Sequence, residues 1–209
     1  MIRDGHLADV RGIRVQVPDL DLSGVKVSRG DYAEGALGTA LEASLAPEVV
    51  ASAYLEHAAD RKGLLFAPTV SSAQVLADAL TGAGVGTEVV HGAMAGDERR
   101  AVLRRFETGA TQVLSNCMVL TEGFDSPSAS ACVIARPTRS APLYVQMAGR
   151  VLRPYPGKEH ALVLDVVGAT AMHSLASLAT LAGAPVRDGQ SLTEAETEEA
   201  EREDRRARE

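Results

Sequence analysis

Short apolar runs alternate with amphipathic stretches from about residue 47 onward, and this alternation limits the possible folds more than any other feature of the chain. The runs are LLFA, TEVV, QVL, ACVIA and ALVLDVV, and most of them are followed by a segment with helical spacing. Brief apolar strands separated by helices of roughly ten residues are typical of βαβ units, in which helices cover both faces of a parallel sheet. The sequence therefore predicts an α/β fold with a single parallel sheet flanked by helices.

The chain divides into three segments by composition. Residues 1–46 are predicted to be a connector with a helix and one or two exposed strands, because RGIRVQV and GVKVS alternate apolar and polar residues. Residues 47–186 hold the α/β domain. Residues 187–209 form a charged tail with almost no apolar residue after Leu192, so we expect a solvated helix or disorder there.

Local signals predict where several helices begin and end. Asp31 and Glu34 form a D-x-x-E capping pattern, and Pro47 suits a first helical turn. Gly63 and Gly109 stand where helix C-caps are expected.

Charge and cysteine content restrict the function classes. The net charge of −7 argues against a general nucleic-acid-binding surface, although nine acidic and five basic residues after residue 186 carry much of it. No apolar run approaches the roughly 18 residues of a membrane span, and the charged N-terminus MIRDGHLADV does not resemble a signal peptide. Cys117 and Cys132 are predicted to be free thiols. We expect a cytoplasmic protein with no metal site and no membrane partner.

One candidate site lies in the stretch YVQMAGRVLRPYPGK, residues 144–158. Gln146, Arg150 and Arg153 are spaced i, i+4 and i+7, which places them on one face of a helix, beside Gly149. A solvated helix face is the simpler interpretation of this pattern alone.

Other candidates follow the predicted strands. Thr69 stands at a helix start, where its hydroxyl caps free N–H groups or the helix end binds a phosphate. His91 follows the next strand, and the loop TEGFDSP holds Thr121, Gly123 and Asp125. Because open α/β sheets bind ligands beyond the carboxyl ends of their strands, this loop is expected to place Asp125 at that edge.

Four segments, taken in their order and separations, resemble the second RecA-like lobe of superfamily 2 helicases. They are FAPTV, HGAMAGDERRAVLRRFETG, VLTEGFDSP and PTRSAPLYVQMAGRVLRP, and the likeness covers residues 47–168. More narrowly, the chain resembles DNA helicases of tailed bacteriophages and the helicase subunit of restriction systems.

The resemblance implies roles for the candidate residues. In such helicases ATP lies between two lobes, so Arg150 and Arg153 would be arginine fingers and Gln146 would help position the cleft. Gly123, Asp125 and Gly149 would lie near the nucleotide.

The resemblance also implies a nucleic-acid partner. Thr69, His91 and Thr121 would belong to the strand-binding surface, and DNA is favoured over RNA. The protein would work in a bacterial cytoplasm or an infected host cell.

The sequence departs from the family in what it lacks. It contains no G-x-x-x-x-G-K-[ST] phosphate loop and no D-E-x-H-like run, and Cys117 and Met118 replace the usual start of the TEGFD segment. We therefore expect ATP and Mg²⁺ to be bound mainly by a separate first lobe, and the chain alone to be inactive. It is interpreted as half of a split helicase or a truncated remnant; a non-catalytic binding module and a plain nucleotide-binding α/β domain remain as alternatives.

Overall fold

The computed structural model describes residues 7–121, 125–168 and 186–208. In chain order the strands and helices are β1 (Asp9–Val17), β2 (Val27–Ser28), β3 (Asp31–Tyr32), α1 (Glu34–Glu42), α2 (Ala46–Ala58), β4 (Gly63–Phe66), α3 (Val70–Gly82), β5 (Thr87–Val90), α4 (Gly96–Thr108), β6 (Val113–Asn116), β7 (Ala131–Ile134), α5 (Ala141–Gly149), β8 (His160–Gly168) and α6 (Leu192–Arg208). A short 3₁₀ turn, Val119–Thr121, follows β6.

Six strands form one sheet in the order β1-β8-β7-β4-β6-β5, and every neighbouring pair is parallel. The predicted α/β class with a single parallel sheet is thereby confirmed. A separate two-stranded antiparallel ribbon, β2-β3, precedes α1.

The sheet is buried on both faces because each central strand sends alternate side chains to opposite sides. In β4, Leu65 packs with the side chains of α1, α2 and α3, including Tyr54. Its neighbour Phe66 packs on the other face with Phe106 of α4 and Tyr144 of α5. Residues Gly63–Phe66 are all buried, which explains why this strand is a continuous apolar run.

The prediction of an exposed connector strand near the N-terminus is wrong for β1. This strand pairs with β8 along its whole length, from Asp9 beside His160 to Val17 beside Gly168, and Val10, Val15 and Val17 are buried. The alternation of apolar and polar residues comes from an edge strand of the main sheet. The proposed boundary at residue 46 stays a prediction.

The outer edge of β1 is covered by the segment before α6. The Gly189 amide donates to the Gly12 carbonyl at 2.8 Å, and the Arg14 amide donates to Asp188 Oδ1 at 2.6 Å. The charged tail is a helix whose first turn docks through the buried Leu192 and Ala195. No helix among the described residues is both long and apolar enough to cross a membrane.

Two of the four boundary signals are confirmed. Pro47 lies in the first turn of α2, and Gly109 caps α4 with a φ of 84°. Gly63 instead begins β4, and Asp31 does not cap α1, because its carboxylate accepts hydrogen bonds from Thr138 and from the Arg139 amide.

Candidate functional site

Helix α5 is anchored on one side and open on the other. Its start is fixed by Ser140, whose Oγ accepts a hydrogen bond from the Leu143 amide at 3.4 Å, and by a proline in the first turn. Tyr144 and Met147 are fully buried against the sheet. Gln146 is exposed. Although it lies between Tyr144 and Met147 in the sequence, helical spacing turns its side chain to the outer face of the helix.

The α-helix ends at Gly149 and tightens into 3₁₀-type turns. The amides of residues 150, 151 and 152 donate to the carbonyls three residues earlier, at 3.2 to 3.3 Å. Arg153 follows these turns and precedes Pro154. It therefore lies beyond the end of the helix, and not on the single helical face that its spacing from Gln146 and Arg150 predicted.

The structure nevertheless brings the predicted residues together in one open cavity of about 220 Å³. Its lining comprises Asp125, Val145, Gln146, Gly149, Arg150 and Arg153. Arg153 Nε lies 3.6 Å from Asp125 Oδ1, with side chains 60% and 54% exposed. An ion pair that exposed is worth about 1 kcal/mol or less, so a phosphate can replace the carboxylate at little cost. Gly123 lies outside the described residues.

The cavity lies toward the amino-terminal edge of the sheet. The Leu152 carbonyl accepts from the Ala8 amide just before β1, and the turn after α5 contacts Ala129 just before β7 through the Lys158 side chain. The expectation that Asp125 lies at the carboxyl edge is therefore wrong. Because β6 and β7 are parallel, the loop between them must return across the sheet, and Asp125 lies near the end of that return.

Gly149 lines the cavity without being required by packing in the described chain. A Cβ added there would meet no heavy atom within 4 Å, and its φ is not positive. We predict that Gly149→Ala leaves the free energy of unfolding of the isolated chain unchanged or raises it by up to about 1 kcal/mol, as measured by urea denaturation. A clear loss of stability would show that the glycine serves packing within the lobe.

Thr69 is placed as the N-cap of α3. Its Oγ1 accepts a hydrogen bond from the Ser72 amide at 3.0 Å, and Ser72 Oγ donates to Glu42 Oε1 at 2.8 Å. A carboxylate thus occupies the helix end where a phosphate would bind. The role of Thr69 in strand binding stays a prediction.

His91 follows β5, and its Nδ1 is buried with no hydrogen-bond partner among the described residues. The turn is held by Arg99, whose Nη2 donates to the carbonyls of His91 and Gly92 at 3.2 and 2.9 Å. Buried polar atoms are rarely left unpaired, so this nitrogen is a feature that local folding does not explain.

Thr69, His91 and Thr121 follow β4, β5 and β6, three strands that neighbour one another in the order β4-β6-β5. They therefore share the carboxyl edge of the sheet, and the arginine cavity lies toward the opposite edge. The two groups of predicted site residues thus lie at different ends of the same sheet.

The sequence did not reveal two cationic residues near these candidate sites, Arg136 and Lys158. Arg136 follows β7 with a side chain only 6% exposed and donates to Glu34 Oε1 at 3.0 Å. Its Nε and Nη1 are buried and have no partner within the part of the chain that the structure describes. A charge directly after the apolar run ACVIA was the available signal. Lys158 donates hydrogen bonds to four backbone carbonyls near the cavity, and no sequence pattern marks it.

The cavity suits the phosphate end of a nucleotide but not a metal ion by itself. Two guanidinium groups and an amide supply donors that phosphate oxygens accept. Among residues 7–121, 125–168 and 186–208, no group of three or more His, Cys, Asp or Glu side chains could hold a metal ion. Mg²⁺ would need ligands from elsewhere.

A six-stranded parallel sheet with helices on both faces, carrying paired arginines at the end of α5, defines a RecA-like lobe of the helicase type. The model of the helicase conserved C-terminal domain matches residues 46–155, more than half of the chain. The chain belongs to this family, and the resemblance to the second lobe of superfamily 2 helicases is confirmed.

Relatives and solved structures agree with this assignment. The chain is 31% identical over 186 residues to the Saccharomyces cerevisiae protein named "Putative ATP-dependent helicase IRC3", covering 88% of this chain and 27% of that one. It is 30% identical over 151 residues to a 51.5 kDa protein of a Lactococcus phage, covering 72% and 33%. It therefore spans about a quarter to a third of these relatives.

Two structures of the DEAD-box protein Dbp5 share the fold. The C-terminal domain of Dbp5 matches with a TM-score of 0.56 at 17% identity, covering 83% of this chain and 82% of that one. Saccharomyces cerevisiae Dbp5 bound to RNA and ADP BeF₃ matches with a TM-score of 0.55 at 18% identity, covering 77% and 36%.

Proposed function

We propose that this chain is the second lobe of an ATP-dependent nucleic-acid helicase or translocase and supplies its arginine fingers. The observation that carries the proposal is the cavity in which Gln146, Arg150 and Arg153 meet Asp125. These side chains come from two segments that are far apart in sequence but converge on one open space.

The chemistry of the cavity fits charge stabilisation on a phosphoryl group. A guanidinium group stays protonated and offers planar, paired N–H donors, so it can neutralise negative charge that develops during transfer. Asp125 holds Arg153 through an exposed pair, and the arginine can exchange that carboxylate for a phosphate. Gln146 adds a neutral donor on the same wall.

The rest of the nucleotide site would belong to a first lobe. ATP and Mg²⁺ need a phosphate-binding loop and carboxylate ligands, and this sequence has no G-x-x-x-x-G-K-[ST] element. The relative IRC3 is named as an ATP-dependent helicase, and the Dbp5 structure contains RNA and ADP BeF₃. These findings support a two-lobed ATPase that acts on nucleic acid.

The nucleic acid would bind at the carboxyl edge of the sheet, near Thr69, His91 and Thr121. DNA is proposed as the strand because the four segments resemble DNA helicases of tailed bacteriophages. With a net charge of −7 and few basic positions to neutralise phosphates, the chain should bind weakly and with only a small salt slope. A non-catalytic binding module is the alternative, and the unpaired Nδ1 of His91 favours a binding role at this edge.

The test compares the isolated chain with the chain plus a first lobe that carries a phosphate-binding loop. We expect background ATP hydrolysis from the isolated chain, because it offers cationic side chains but neither a phosphate cradle nor Mg²⁺ ligands. The pair should hydrolyse ATP faster when single-stranded DNA is added. Turnover by the isolated chain that depends on its own residues would contradict the proposal, and a pair that binds DNA without hydrolysis would favour the non-catalytic module.

A further inference from the structure

The ammonium group of Lys158 is surrounded by backbone carbonyls. Its Nζ donates to the carbonyls of Pro127, Ala129, Arg153 and Val151 at 2.6, 2.7, 2.8 and 3.1 Å. No salt bridge joins Lys158 to a carboxylate within the described parts of the chain. The side chain therefore connects backbone segments and neutralises no acidic residue.

These carbonyls belong to the two segments that form the walls of the arginine cavity. Pro127 follows Asp125 by two residues on the loop before β7, and Arg153 itself lies on the turn after α5. The ammonium group of Lys158 thus links the two segments that form the cavity walls, although Lys158 does not line the cavity. The exposed pair of Arg153 and Asp125 is too weak to set this spacing alone.

We infer that Lys158 is a positioning residue that holds the loop of Asp125 and the turn of Arg153 together, and so fixes where the arginine side chain projects. This inference depends on the proposed arginine-finger function. It assigns no contact between Lys158 and a nucleotide.

A lysine suits this position because an ammonium has three N–H donors and no acceptor. Shared among four carbonyls at short distances, these donors bind two chain segments without needing a side-chain partner. An apolar residue of similar length would take this donor away from all four carbonyls, which weakens the link between the two segments.

The position also makes the contact sensitive to pH. Burial and, to a smaller extent, the charge of the neighbouring Arg61 together lower the pKa of Lys158 to about 8. Asp60, Tyr155, Glu159 and His160 also line the adjoining cavity of about 340 Å³, and the four carbonyl dipoles oppose the loss of the proton. Deprotonation removes one donor, so the contact should loosen as the pH rises through about 8.

The first experiment replaces Lys158 with methionine in the isolated full chain. We expect amide hydrogen exchange at Val151 and Leu152 to become at least about tenfold faster, because the carbonyls that anchor this turn lose their partner. The matched control is Lys62→Met, since Lys62 Nζ donates to a single carbonyl, that of Glu107. Unchanged exchange at Val151 and Leu152 would overturn the inference.

The second experiment measures ATP hydrolysis by the pair of lobes. Lys158→Met should lower kcat by about 10- to 100-fold with little change in KM for ATP, because a misplaced finger affects the transition state more than binding. Lys62→Met should keep normal turnover. If Arg150→Ala lowers kcat but Lys158→Met does not, the positioning role is wrong and the finger proposal stands. If neither variant lowers kcat, the finger proposal fails, and the exchange measurement still reports on Lys158.

A third measurement needs no substitution and remains valid if Lys158→Met does not fold. In the wild-type chain, exchange at Val151 and Leu152, corrected for the intrinsic effect of pH, should accelerate between pH 7 and pH 9 relative to amides of α3. Protection that stays constant across this range would contradict the role of the ammonium.

Discussion

Replacement of Arg150 by alanine is expected to lower the kcat of the assembled lobe pair by about 10³- to 10⁵-fold, which corresponds to roughly 4 to 7 kcal/mol of transition-state stabilisation. Arg150 lines the open cavity at the end of α5, beside Gln146 and Gly149. A guanidinium in this position acts on charge that appears mainly during transfer. Its loss should therefore reduce kcat far more than it raises KM.

Arg153→Ala should give a loss of the same order, because its side chain reaches the same cavity from the following turn. Lysine at either position should restore little activity, since a point charge does not reproduce the planar fork that engages two phosphate oxygens. The matched control is Arg104→Ala, which removes an exposed arginine from α4. Steady-state ATP hydrolysis at saturating single-stranded DNA measures all five variants, the alanine and lysine replacements at both positions and the control.

The result that would refute the finger assignment is an Arg150→Ala pair that keeps the wild-type kcat while folding normally. A solvated arginine predicts such an outcome, with stability changes within about 0.5 kcal/mol. Far-UV circular dichroism and urea denaturation of the isolated variant establish that the fold is intact.

Local pattern in the sequence was sufficient to predict the central part of the fold. The run LLFA overlaps β4 (Gly63–Phe66), because a strand buried on both faces needs continuous apolar side chains. The run TEVV coincides with β5 (Thr87–Val90), a partly buried strand at the edge of the sheet. The spacing of Gln146 and Arg150 predicted one helix face, and both residues line one cavity. Each of these features is determined by residues that are close to one another in the sequence.

Features that depend on distant partners could not be predicted in this way. Alternation in β1 indicates a strand, but pairing with β8 joins segments about 150 residues apart, and no local signal specifies it. The position of Asp125 is set by its contact with Arg153, which is distant in sequence. Asp31 accepts a hydrogen bond from Thr138 and does not cap the helix that follows it. Tertiary contacts also make Lys158 important while its sequence context looks like a simple turn.

A partly buried carboxylate beside the arginine helix leads to the second large expected effect. Asp165 lies in β8, and the hydroxyl of Tyr144 in α5 donates to its Oδ2 at 3.2 Å. Burial raises the pKa of Asp165 to about 7, while the hydrogen bond from Tyr144 and the charge of Arg14 oppose this change only in part. Near pH 7 about half of the folded molecules therefore carry a proton on this carboxyl, which is ionised in the unfolded chain.

The direction of the pH dependence follows from proton binding. The ordinary pKa of this carboxyl is 3.8, so between about pH 4 and pH 7 the folded state binds more protons than the unfolded state. The free energy of unfolding should therefore fall as the pH rises through this window and level off above it, by at most about 4 kcal/mol in total. The pKa of His160 is lowered, chiefly by burial, and contributes in the opposite direction.

Asp165→Asn should remove the falling part of this profile and raise the free energy of unfolding at pH 8 by about 2 to 4 kcal/mol, because the amide cannot ionise yet still accepts the hydrogen bond from Tyr144. Urea denaturation of the isolated chain at pH 5, 6, 7 and 8 measures the profile for both proteins. Asp60→Asn is the control, since Asp60 is exposed and its substitution should change stability by less than about 0.5 kcal/mol. Because His160 is present in both proteins, the difference between their curves isolates Asp165. An Asp165→Asn chain whose stability still falls from pH 5 to pH 8 as in the wild type would show that another group titrates there, and that the strand behind α5 does not hold a proton at neutral pH.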